Sequence, residues 1–438
     1  MRVLFLGTAG TGKKDVLEKV GNIICKEKFG LREGLKHEDA EKHICIYDLD
    51  NKIKENLGRG YASFMDNNER DRQKDVWKKQ MEDILEDLNK KKPQHTFLAI
   101  HGVYYRYNNY FSLMDLNLIA KFSPDIIITF IDDIYDISDK ITKEEKRNRT
   151  NSSCTISEAL GWRTVETLIG DIIAGHLFID PKTSGLGLEE ISVLSANIKK
   201  LFRKHIPHFV VAVKHPPVMI YKLLFERKKL VFYASFPITS TRTDTKKIQE
   251  INEFKKKLNE KYTVFDPASI DEYLIKGMRD LKRGEEKTIK KNKMLVKKNK
   301  KWLLLRRLIG DFSRSTDLPD ALKLEDLVNI KDAILKHVEK RDFRLIDQCQ
   351  GVVAYRPFWD GRHEPSGGVD AELGHAIATE KATFVFHPKQ DGDPKTMFKG
   401  VEDAVKFPSL DELFKQLELA QADNDAIKKD IPDTWERE

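Results

Sequence analysis

The stretch RVLFLGTAGTGKK, residues 2–14, decides the fold of the first half of the chain. Its apolar residues 2–6 predict a buried strand, and a helical pattern follows over residues 13–26. Residues 7–13 fit the pattern G-x-x-x-x-G-K, in which backbone N–H groups and a helix N-terminus surround a phosphate group. The alternative is a tight glycine turn without a ligand. We expect a nucleotide-phosphate site formed by Gly7, Gly10, Thr11, Gly12, Lys13 and Lys14.

Lys14 departs from the usual form of this loop, which has Ser or Thr at that position. A hydroxyl there normally binds Mg²⁺, whereas a lysine ammonium has no acceptor atom. The usual route to Mg²⁺ is therefore absent. The acidic residues Asp48, Asp50 and Asp132 remain as side chains that can recruit the ion through water.

Apolar runs alternate with helical patterns along the whole chain, and the alternation restarts at Leu230. This order is typical of the α/β class, in which helices cover both faces of a parallel sheet. The predicted strands cover residues 2–6, 43–47, 96–100, 126–131 and 209–213 in the first half, and 230–234, 262–265, 351–355 and 382–386 in the second. The predicted helices cover residues 13–26, 77–89, 156–174, 246–259, 327–339 and 369–380.

The length of 438 residues predicts two domains, because single hydrophobic cores stop growing near ~250–300 residues. A charged run just before Leu230 indicates the boundary. We expect one domain over residues 1–225 and a second over residues 229–420, with a basic insertion near residues 280–310. The polar tail, residues 421–438, is expected to fray.

Composition narrows the class of protein. A hydrophobic fraction of 40% supports real cores, and no apolar run approaches the ~18 residues of a membrane helix. Four cysteines without a C-x-x-C pair argue against a disulfide framework or a structural zinc site. The N-terminal run lacks the features of a signal peptide. We therefore expect a cytoplasmic protein with no membrane partner and no bound structural metal.

The insertion is strongly basic, with twelve Lys or Arg between residues 282 and 307. A solvated helix or a loose insertion explains this charge, and a basic rim that attracts phosphorylated substrates is an alternative. A nucleic-acid patch is the third interpretation. Trp302 is almost the only aromatic residue there, so stacking on single strands has little support and nucleic acid is not an expected partner.

A second group of residues with possible chemistry lies in PSGGVDAELGHA, residues 365–376. Two glycines open a predicted helix, and Glu372 lies in its first turn. A structural explanation exists, because acidic residues stabilise first turns by ~0.3–1 kcal/mol and because Ser366 and Gly368 can be caps. A functional carboxylate at this glycine-rich turn is the alternative.

The loop GTAGTGKK resembles the phosphate loop of adenylate kinases and other nucleotide kinases, and further features agree over about the first 210 residues. The segment KEEKRNRT is similar to a short lid that carries arginines, and Arg163 lies where these families often have a phosphate-facing arginine. The resemblance implies a P-loop domain that binds ATP or a related nucleotide, with Arg149 and Arg163 as further nucleotide-binding residues. Solvated surface charges are the alternative for each arginine.

The segment 365–376 resembles the 2′-deoxynucleoside 5′-phosphate N-hydrolases of the nucleoside 2-deoxyribosyltransferase superfamily. This resemblance implies a Rossmann-like α/β domain over residues 229–417, apart from the insertion. It implies that Glu372 is the nucleophile on the sugar C1′ and that Ser366, with Gly368 beside it, contacts the substrate phosphate. Upstream, RDFRLIDQCQGVVA is similar to the segment whose aspartate acts as an acid or contacts the leaving base, and Asp342 matches it.

The start of the second domain, LVFYASFPITSTRTD, resembles the first strand and loop of the same superfamily. By this resemblance Tyr233 is a catalytic residue, and Ser235 and Phe236 bind the substrate. The family's arginine-glycine-glycine after the strand is replaced here by residues 237–239. A phosphate-binding arginine is therefore missing at that point, and Arg242 is the candidate to replace it.

Together the two resemblances predict an enzyme that cleaves or exchanges the N-glycosidic bond of a (deoxy)nucleoside or nucleotide. Such chemistry needs a carboxylate below C1′ and a second acid, and requires no metal. The role would be nucleotide metabolism or defence-related nucleotide depletion. The alternatives are a nucleoside or nucleotide kinase whose second domain is a binding module, and a non-catalytic nucleotide sensor. The superfamily resemblance also implies a homo-oligomer.

Overall fold

The computed structural model describes residues 1–30, 42–67, 69–106, 109–134, 136–137, 140–141, 156–176, 206–238, 241, 244–270, 272, 324–359, 361–363, 366–388, 404–429, 431, 433 and 435. The chain divides into two compact units, one built mainly on Met1–Val213 with Glu272–Leu335, and the other on Lys214–Asp271 and Lys336–Trp435. The predicted basic insertion, with Arg149, Arg242 and Cys154, lies outside the described residues.

The first unit contains a parallel sheet of five strands. Its strands are β1 (Arg2–Gly7), β2 (Ile44–Asp48), β3 (His95–Ala99), β6 (Ile126–Ile131) and β7 (His208–Ala212), and a separate hairpin is formed by β4 (Tyr104–Arg106) and β5 (Asn109–Phe111). The order in the sheet is β2-β3-β1-β6-β7. Leu4 pairs with Leu98 on one side and with Ile127 on the other. The core residues of β1 are fully buried, as expected for a strand covered on both faces.

The helices of this unit follow the strand ends. They are α1 (Lys13–Phe29), α2 (Leu49–Leu57), α3 (Tyr61–Asp66), α4 (Arg70–Lys91), α5 (Leu116–Phe122) and α6 (Ile156–His176), with a 3₁₀ turn at Gly58–Gly60. Asp48 and Asp115 begin α2 and α5 by accepting backbone N–H bonds of the first turn. On α4 the buried residues Trp77, Met81 and Ile84 recur at helical spacing, so one face of the helix covers the sheet.

The second unit contains another parallel sheet of five strands. Its strands are β8 (Val231–Ser235), β9 (Thr263–Phe265), β10 (Gly351–Tyr355), β13 (Ala382–Phe386) and β14 (Val405–Phe407), and β11 (Phe358–Trp359) pairs with β12 (Arg362–His363) as a hairpin. The order is β14-β13-β10-β8-β9. A side chain at Gly351 would place its Cβ 2.6 Å from the carbonyl oxygen of Ala382, so this strand pairing requires glycine.

The remaining helices are α7 (Pro217–Phe225), α8 (Thr245–Lys261), α9 (Leu324–Asp347), α10 (Gly367–Ala378) and α11 (Leu410–Ile427), with a 3₁₀ turn at Pro267–Ser269. The core of the second unit lies where α8 and α11 pack on the sheet. Phe254 stacks on Tyr355 with ring centroids 4.9 Å apart, and Leu413 and Leu417 are fully buried beside them. These contacts hold the two helices against the sheet whose strand ends carry the second candidate site.

Two domain-level expectations differ from the structure. The division falls after Val213, so residues 214–225 belong to the second unit, where Lys222 donates to the carbonyl oxygens of Asn259 and Glu260 at the end of α8. The chain from Gln421 was expected to fray, but it stays helical to Ile427. The Gln421 side chain accepts from Leu230 N at 2.9 Å and donates to Lys228 O at 3.1 Å, which holds this helix to the segment just before β8.

The expected α/β class with mostly parallel sheets is confirmed by these two sheets and their flanking helices. Each predicted strand is present, with ends that differ by one residue at most. The two hairpins, β14, the shorter helices and the 18-residue helix α11 were not predicted. All of these except α11 contain too few residues to show a clear hydrophobic period, so their structure depends on long-range packing.

Candidate functional sites

The first candidate site lies at the carboxyl ends of the strands in the first unit. The glycine-rich segment of residues 7–13 joins β1 to α1, and β1 lies between β3 and β6, where the direction of strand succession reverses. Such a point in a parallel sheet is where ligands commonly bind. Gly10 and Gly12 have φ angles of 80° and 74°, in the left-handed region that favours glycine. The local sequence therefore allows the tight path of this loop.

A cavity of about 250 Å³ opens beside this loop. Besides the loop, its lining contains the aromatic and histidine side chains Tyr61, Tyr104, Tyr105, Trp162 and His101. Its charged lining residues are Lys13, Lys14, Lys54, Arg106, Asp48 and Asp50. The cavity thus combines cations suited to phosphate groups with rings suited to a planar base.

Lys13 is buried and points back to the strand ends. Its Nζ lies 2.5 Å from the Gly7 carbonyl oxygen, 3.1 Å from the Ile100 carbonyl oxygen and 2.8 Å from His101 Nδ1. Burial lowers the pKa of Lys13, and the carboxylates of Asp50 and Glu166 oppose that shift. A phosphate in the loop would therefore compete with acceptors of the protein for this ammonium group.

The side chain of Glu166 positions the start of the loop, and the sequence did not single it out for that role. It accepts hydrogen bonds from Gly7 N at 3.0 Å, Gly102 N at 2.8 Å and Val103 N at 2.9 Å, and the residue is 1% exposed. Burial raises the pKa of Glu166, and the backbone donors oppose that shift. Its acidic type in the middle of a buried helix is the signal that could have found it.

Asp50, His101 and Tyr104 form a polar group on the wall of the cavity. The Tyr104 hydroxyl donates to Asp50 Oδ1 at 2.5 Å, while Asp50 Oδ2 is buried and has no hydrogen-bond partner among the described residues. Burial raises the pKa of Asp50. Burial and then the nearby Lys13 lower the pKa of His101 to about 3, so this imidazole is neutral.

The other residues expected at this site are placed differently. Arg163 is buried within the first unit and donates to Asp132 O at 3.1 Å and Glu272 Oε1 at 2.6 Å, and it does not line the cavity. Lys14 lines the cavity, is 54% exposed, and lies 3.9 Å from Glu18. Of the carboxylates considered for metal recruitment, Asp48 and Asp50 line the cavity and Asp132 does not.

The loop residues fit a phosphate group. Thr8 lines the cavity, and its Oγ1 is buried with no hydrogen-bond partner among the described residues. The N-cap residue of α1 is Gly12, so no side chain caps the start of this helix. A ligand oxygen at this place can accept from the hydroxyl and from backbone N–H groups at the start of the helix. For Mg²⁺, the carboxylates in this lining are those of Asp48 and Asp50.

The second candidate site lies in the second unit, at the carboxyl end of β8. This strand lies between β9 and β10, where strand succession again reverses. Tyr233 Oη donates to Glu372 Oε1 at 2.8 Å, and Ser235 Oγ donates to Glu372 Oε2 at 2.5 Å. The two hydroxyls belong to one face of β8 because alternate residues of a strand share a face. Each carboxylate oxygen of Glu372 is therefore held by one hydroxyl.

Glu372 is buried in the second turn of α10, not in the first turn as predicted, and its charge is costly there. Burial, and then the carboxylate of Asp342, raise the pKa of Glu372 to about 8. The hydrogen bonds from Ser235 and Tyr233 and the positive charge of Arg341 act in the opposite direction. A carboxyl group that titrates near neutral pH is typical of functional sites, although buried structural networks show similar shifts.

Asp342, which the family resemblance selected, lies close enough to Glu372 to affect its charge. Asp342 is bound by Arg341, a residue that was not predicted. Arg341 Nε and Nη2 both donate to Asp342 Oδ1, at 2.9 and 2.8 Å. Asp342 is 9% exposed. The only signal in the sequence was a basic residue directly before an acidic one. Adjacency in the sequence does not show that both side chains are buried.

The expected substrate-binding residues lie near the first turn of α10 or on the adjoining strand end. Ser366 caps the helix by accepting from Val369 N at 3.3 Å, and Gly368 is exposed next to it. Phe236 is buried, with Lys255 Nζ 5.2 Å from its ring centroid. Ser366 is therefore a helix cap, which is the structural alternative to a substrate contact. The start of the helix is still exposed, so a ligand can reach it.

Arg356 is a further cation near the start of α10 that the sequence analysis did not select. Its Nη1 donates to Asp370 Oδ1 at 2.5 Å, and the side chain is 6% exposed. It follows β10 directly, whereas the predicted replacement for the missing family arginine was Arg242. An arginine after a strand end was its only sequence signal.

No protein-family model matches the chain, and no curated protein matches it either. Among the described residues, no helix is long and apolar enough to cross a membrane. The same residues contain no group of three or more His, Cys, Asp or Glu side chains that could hold a metal ion.

The raised pKa of Glu372 leads to a prediction on stability. Its folded-state pKa of about 8 exceeds the ordinary value of 4.5, so between these pH values the folded state binds more protons than the unfolded state. The stabilising effect of the neutral carboxyl is complete below about pH 4.5 and is lost as pH rises through 8. We therefore expect Glu372→Gln to stabilise the protein at pH 9, by on the order of a few kcal/mol, and to have little effect at pH 4.5.

Thermal unfolding of both proteins from pH 4.5 to 9 measures this difference, because titrating groups outside the pair of Glu372 and Asp342 contribute equally to each. The exposed Glu380 provides the matched control, since Glu380→Gln makes the same chemical change outside the buried group. A Tm difference between Glu372→Gln and the wild type that stays constant with pH would contradict the prediction.

Proposed function

We propose that the second unit cleaves or exchanges the N-glycosidic bond of a (deoxy)nucleoside or nucleotide, with Glu372 as the nucleophile. The observation that carries this proposal is the buried Glu372 carboxylate held by the hydroxyls of Tyr233 and Ser235. The resemblance of residues 365–376 to the deoxyribosyltransferase superfamily supports it independently. The proposed fold of this unit is accordingly Rossmann-like and deoxyribosyltransferase-like.

The proposed chemistry uses each of these groups once. A carboxylate oxygen of Glu372 forms a bond to C1′ while the bond from C1′ to the base nitrogen breaks, and the bonding electron pair leaves with the base. Asp342, held by Arg341 as a carboxylate, contacts the departing base, and the base takes its proton from water. Water then hydrolyses the glycosyl-enzyme, or a second base takes the sugar. The hydroxyls of Tyr233 and Ser235 keep the Glu372 carboxylate oriented for this attack.

The nucleophile must be ionised to attack. Since the pKa of Glu372 is raised to about 8, the ionised fraction in the free protein increases as pH rises through that value. We expect base release to rise over the same pH range. Substrate binding changes the surroundings of the carboxyl, so kcat/KM is the parameter that reports the free protein.

For the first unit we propose a P-loop domain that binds ATP or a related nucleotide. The support comes from the left-handed glycines Gly10 and Gly12, the buried Lys13, and the Thr8 hydroxyl, which has no hydrogen-bond partner among the described residues. The nucleotide would be a co-substrate, a regulator or a substrate. A homo-oligomer is proposed on the superfamily resemblance alone.

The test of the main proposal is direct. Purified protein is incubated with a panel of ribo- and deoxyribonucleosides and their 5′-phosphates, and free base and ADP are separated by chromatography. Base release that depends on Glu372 supports the proposal, and a second free base added to the mixture separates transfer from hydrolysis. Absence of base release from every member of the panel over pH 6–9 would overturn it.

Phosphoryl transfer by the first unit is a second candidate function. The observation that favours it is Asp50, which lines the cavity that the loop borders and has a buried carboxylate oxygen without a hydrogen-bond partner among the described residues. Lys14 opposes it, because a lysine does not coordinate Mg²⁺ and its charge repels a cation by about 1–4 kcal/mol per unit charge at 4 Å. ADP without base release in the panel assay would favour this function.

We expect Lys14→Ser to keep nucleotide binding and to raise any Mg²⁺-dependent turnover by about fivefold or more, because the hydroxyl restores a ligand and the repulsion is removed. ADP formation measured against Mg²⁺ concentration checks this. The exposed Lys19 on the same helix supplies the control variant Lys19→Ser. Brisk wild-type turnover that falls in Lys14→Ser would instead show that Lys14 clamps a phosphate group.

A further inference from the structure

The second candidate site contains a buried ion pair that the proposed reaction has not used. Arg341 and Asp342 are neighbours on α9, with side chains that are 8% and 12% exposed. Arg341 Nε and Nη2 both donate to one carboxylate oxygen of Asp342, and Nη1 donates to Ile270 O at 3.3 Å. Hydrogen bonds therefore hold all three nitrogens of the planar guanidinium, and the guanidinium in turn holds the Asp342 carboxylate in one position.

The charges around Glu372 come from two elements besides its own helix. From β8 it receives the hydroxyls of Tyr233 and Ser235, and from α9 it faces the negative Asp342 and the positive Arg341. The two α9 side chains have opposite effects on the ionised form of Glu372: Asp342 destabilises it and Arg341 stabilises it. On α10 itself, Asp370 is paired with Arg356.

Two carboxyl groups in one buried site lose their protons in coupled steps. A guanidinium stays protonated at every relevant pH, so it stabilises each state in which the pair carries more negative charge. Removing Arg341 would make the pair keep its last proton to a higher pH. Removing the charge of Asp342 would have the opposite effect on Glu372.

We propose, on the basis of the proposed N-glycosidic function, that Arg341 is a positioning residue that holds Asp342 in place and sets the pH at which Glu372 becomes able to attack C1′. Arg341 acts through these two carboxylates. Its role is therefore separate from substrate binding, and a change at Arg341 should move the pH profile as well as the rate.

The experiment compares kcat/KM for base release over pH 5–10 in the wild type and in variants of this pair. Arg341→Gln is expected to move the midpoint of the rising limb upward by on the order of one pH unit. Asp342→Asn is expected to move it downward by a similar amount, with a lower rate. Arg341→Lys keeps the charge, so its midpoint should stay near that of the wild type even where the rate falls.

The control is Lys340→Gln, which removes a positive charge from the adjacent, exposed position of the same helix. Its midpoint should not move, because a solvated charge is screened. A shift of equal size in Lys340→Gln and Arg341→Gln would overturn the inference. So would an unchanged midpoint in Arg341→Gln.

A second readout follows the same ionisation without catalysis. For each background, the Tm difference between the protein with Glu372 and the protein with Glu372→Gln is measured against pH, and its midpoint reports Glu372. Midpoints that rise for Arg341→Gln and fall for Asp342→Asn support the inference. If Arg341→Gln does not fold, an unchanged thermal midpoint in Asp342→Asn would overturn it. Shifted thermal midpoints without base release at any pH would reject the proposed function and leave only the electrostatic part of the inference.

Discussion

Replacing Glu372 with glutamine is expected to reduce base release by at least 10²–10⁴-fold, the range of a single catalytic group. Glutamine has nearly the same shape. Its amide oxygen can still accept from Tyr233, and its NH₂ group can donate to the Ser235 hydroxyl. It cannot form the ester with C1′ or carry the negative charge that stabilises the oxocarbenium-like transition state. The loss should therefore appear in kcat, with the fold preserved.

Single-turnover base release measured above pH 8, where the wild-type carboxyl is ionised, gives the largest contrast between the two proteins. Intact-mass analysis of the quenched reaction should show a glycosyl adduct in the wild type and none in the variant. Glu380→Gln should keep wild-type rates, because Glu380 is exposed just beyond the C-terminal end of α10. Full activity in Glu372→Gln would reduce Glu372 to a charge near a helix start.

Lys13→Ala is expected to weaken ATP binding to the first unit by about 10- to 100-fold, since a charge-assisted hydrogen bond is worth about 1.5–3 kcal/mol. The N–H groups of the loop remain in the variant, but the ammonium that would reach the β- and γ-phosphates is gone. Because Lys13 binds Gly7 O, Ile100 O and His101 in the structure, part of its gain on phosphate offsets the loss of those bonds.

Calorimetric titration with ATP and with adenosine separates the phosphate contribution from that of the base. The affinity for ATP should fall in Lys13→Ala, and the affinity for adenosine should change little. Lys19→Ala, at an exposed position of the same helix, is the control and should bind as the wild type does. Unchanged ATP affinity in Lys13→Ala would mean that Lys13 contacts no phosphate in this loop.

The glycine-rich loop of residues 7–13 and the segment 365–376 illustrate what local patterns predict well. Residues 2–26 combine a strand, glycines with positive φ and a helix, and all three properties are local, so the strand β1 and the helix α1 were predicted closely. Glu372 was likewise selected from a short motif, and the structure places it beside Tyr233 and Ser235. The catalytic roles of these residues stay predictions.

Arg163 and Glu166 show where such patterns fail. Both lie on α6, and the family resemblance selected the arginine as a phosphate ligand. In the structure Arg163 binds Glu272, while Glu166 holds the start of the loop through Gly7 N. The two residues are three positions apart and lie on the same buried face of the helix, and only the packing of that helix on the sheet decides which one reaches the loop.

The sequence by itself determined the alternation of strands and helices, and with it two parallel sheets, because hydrophobic period is a local property of the chain. The tertiary structure alone decided which polar side chains meet. Tyr233 and Glu372 are separated by 139 residues, and their contact depends on the placement of α10 against β8. The burial that raises the pKa of Glu372, and the Arg341 charge that opposes it, arise from the same long-range packing and leave no local pattern in the sequence.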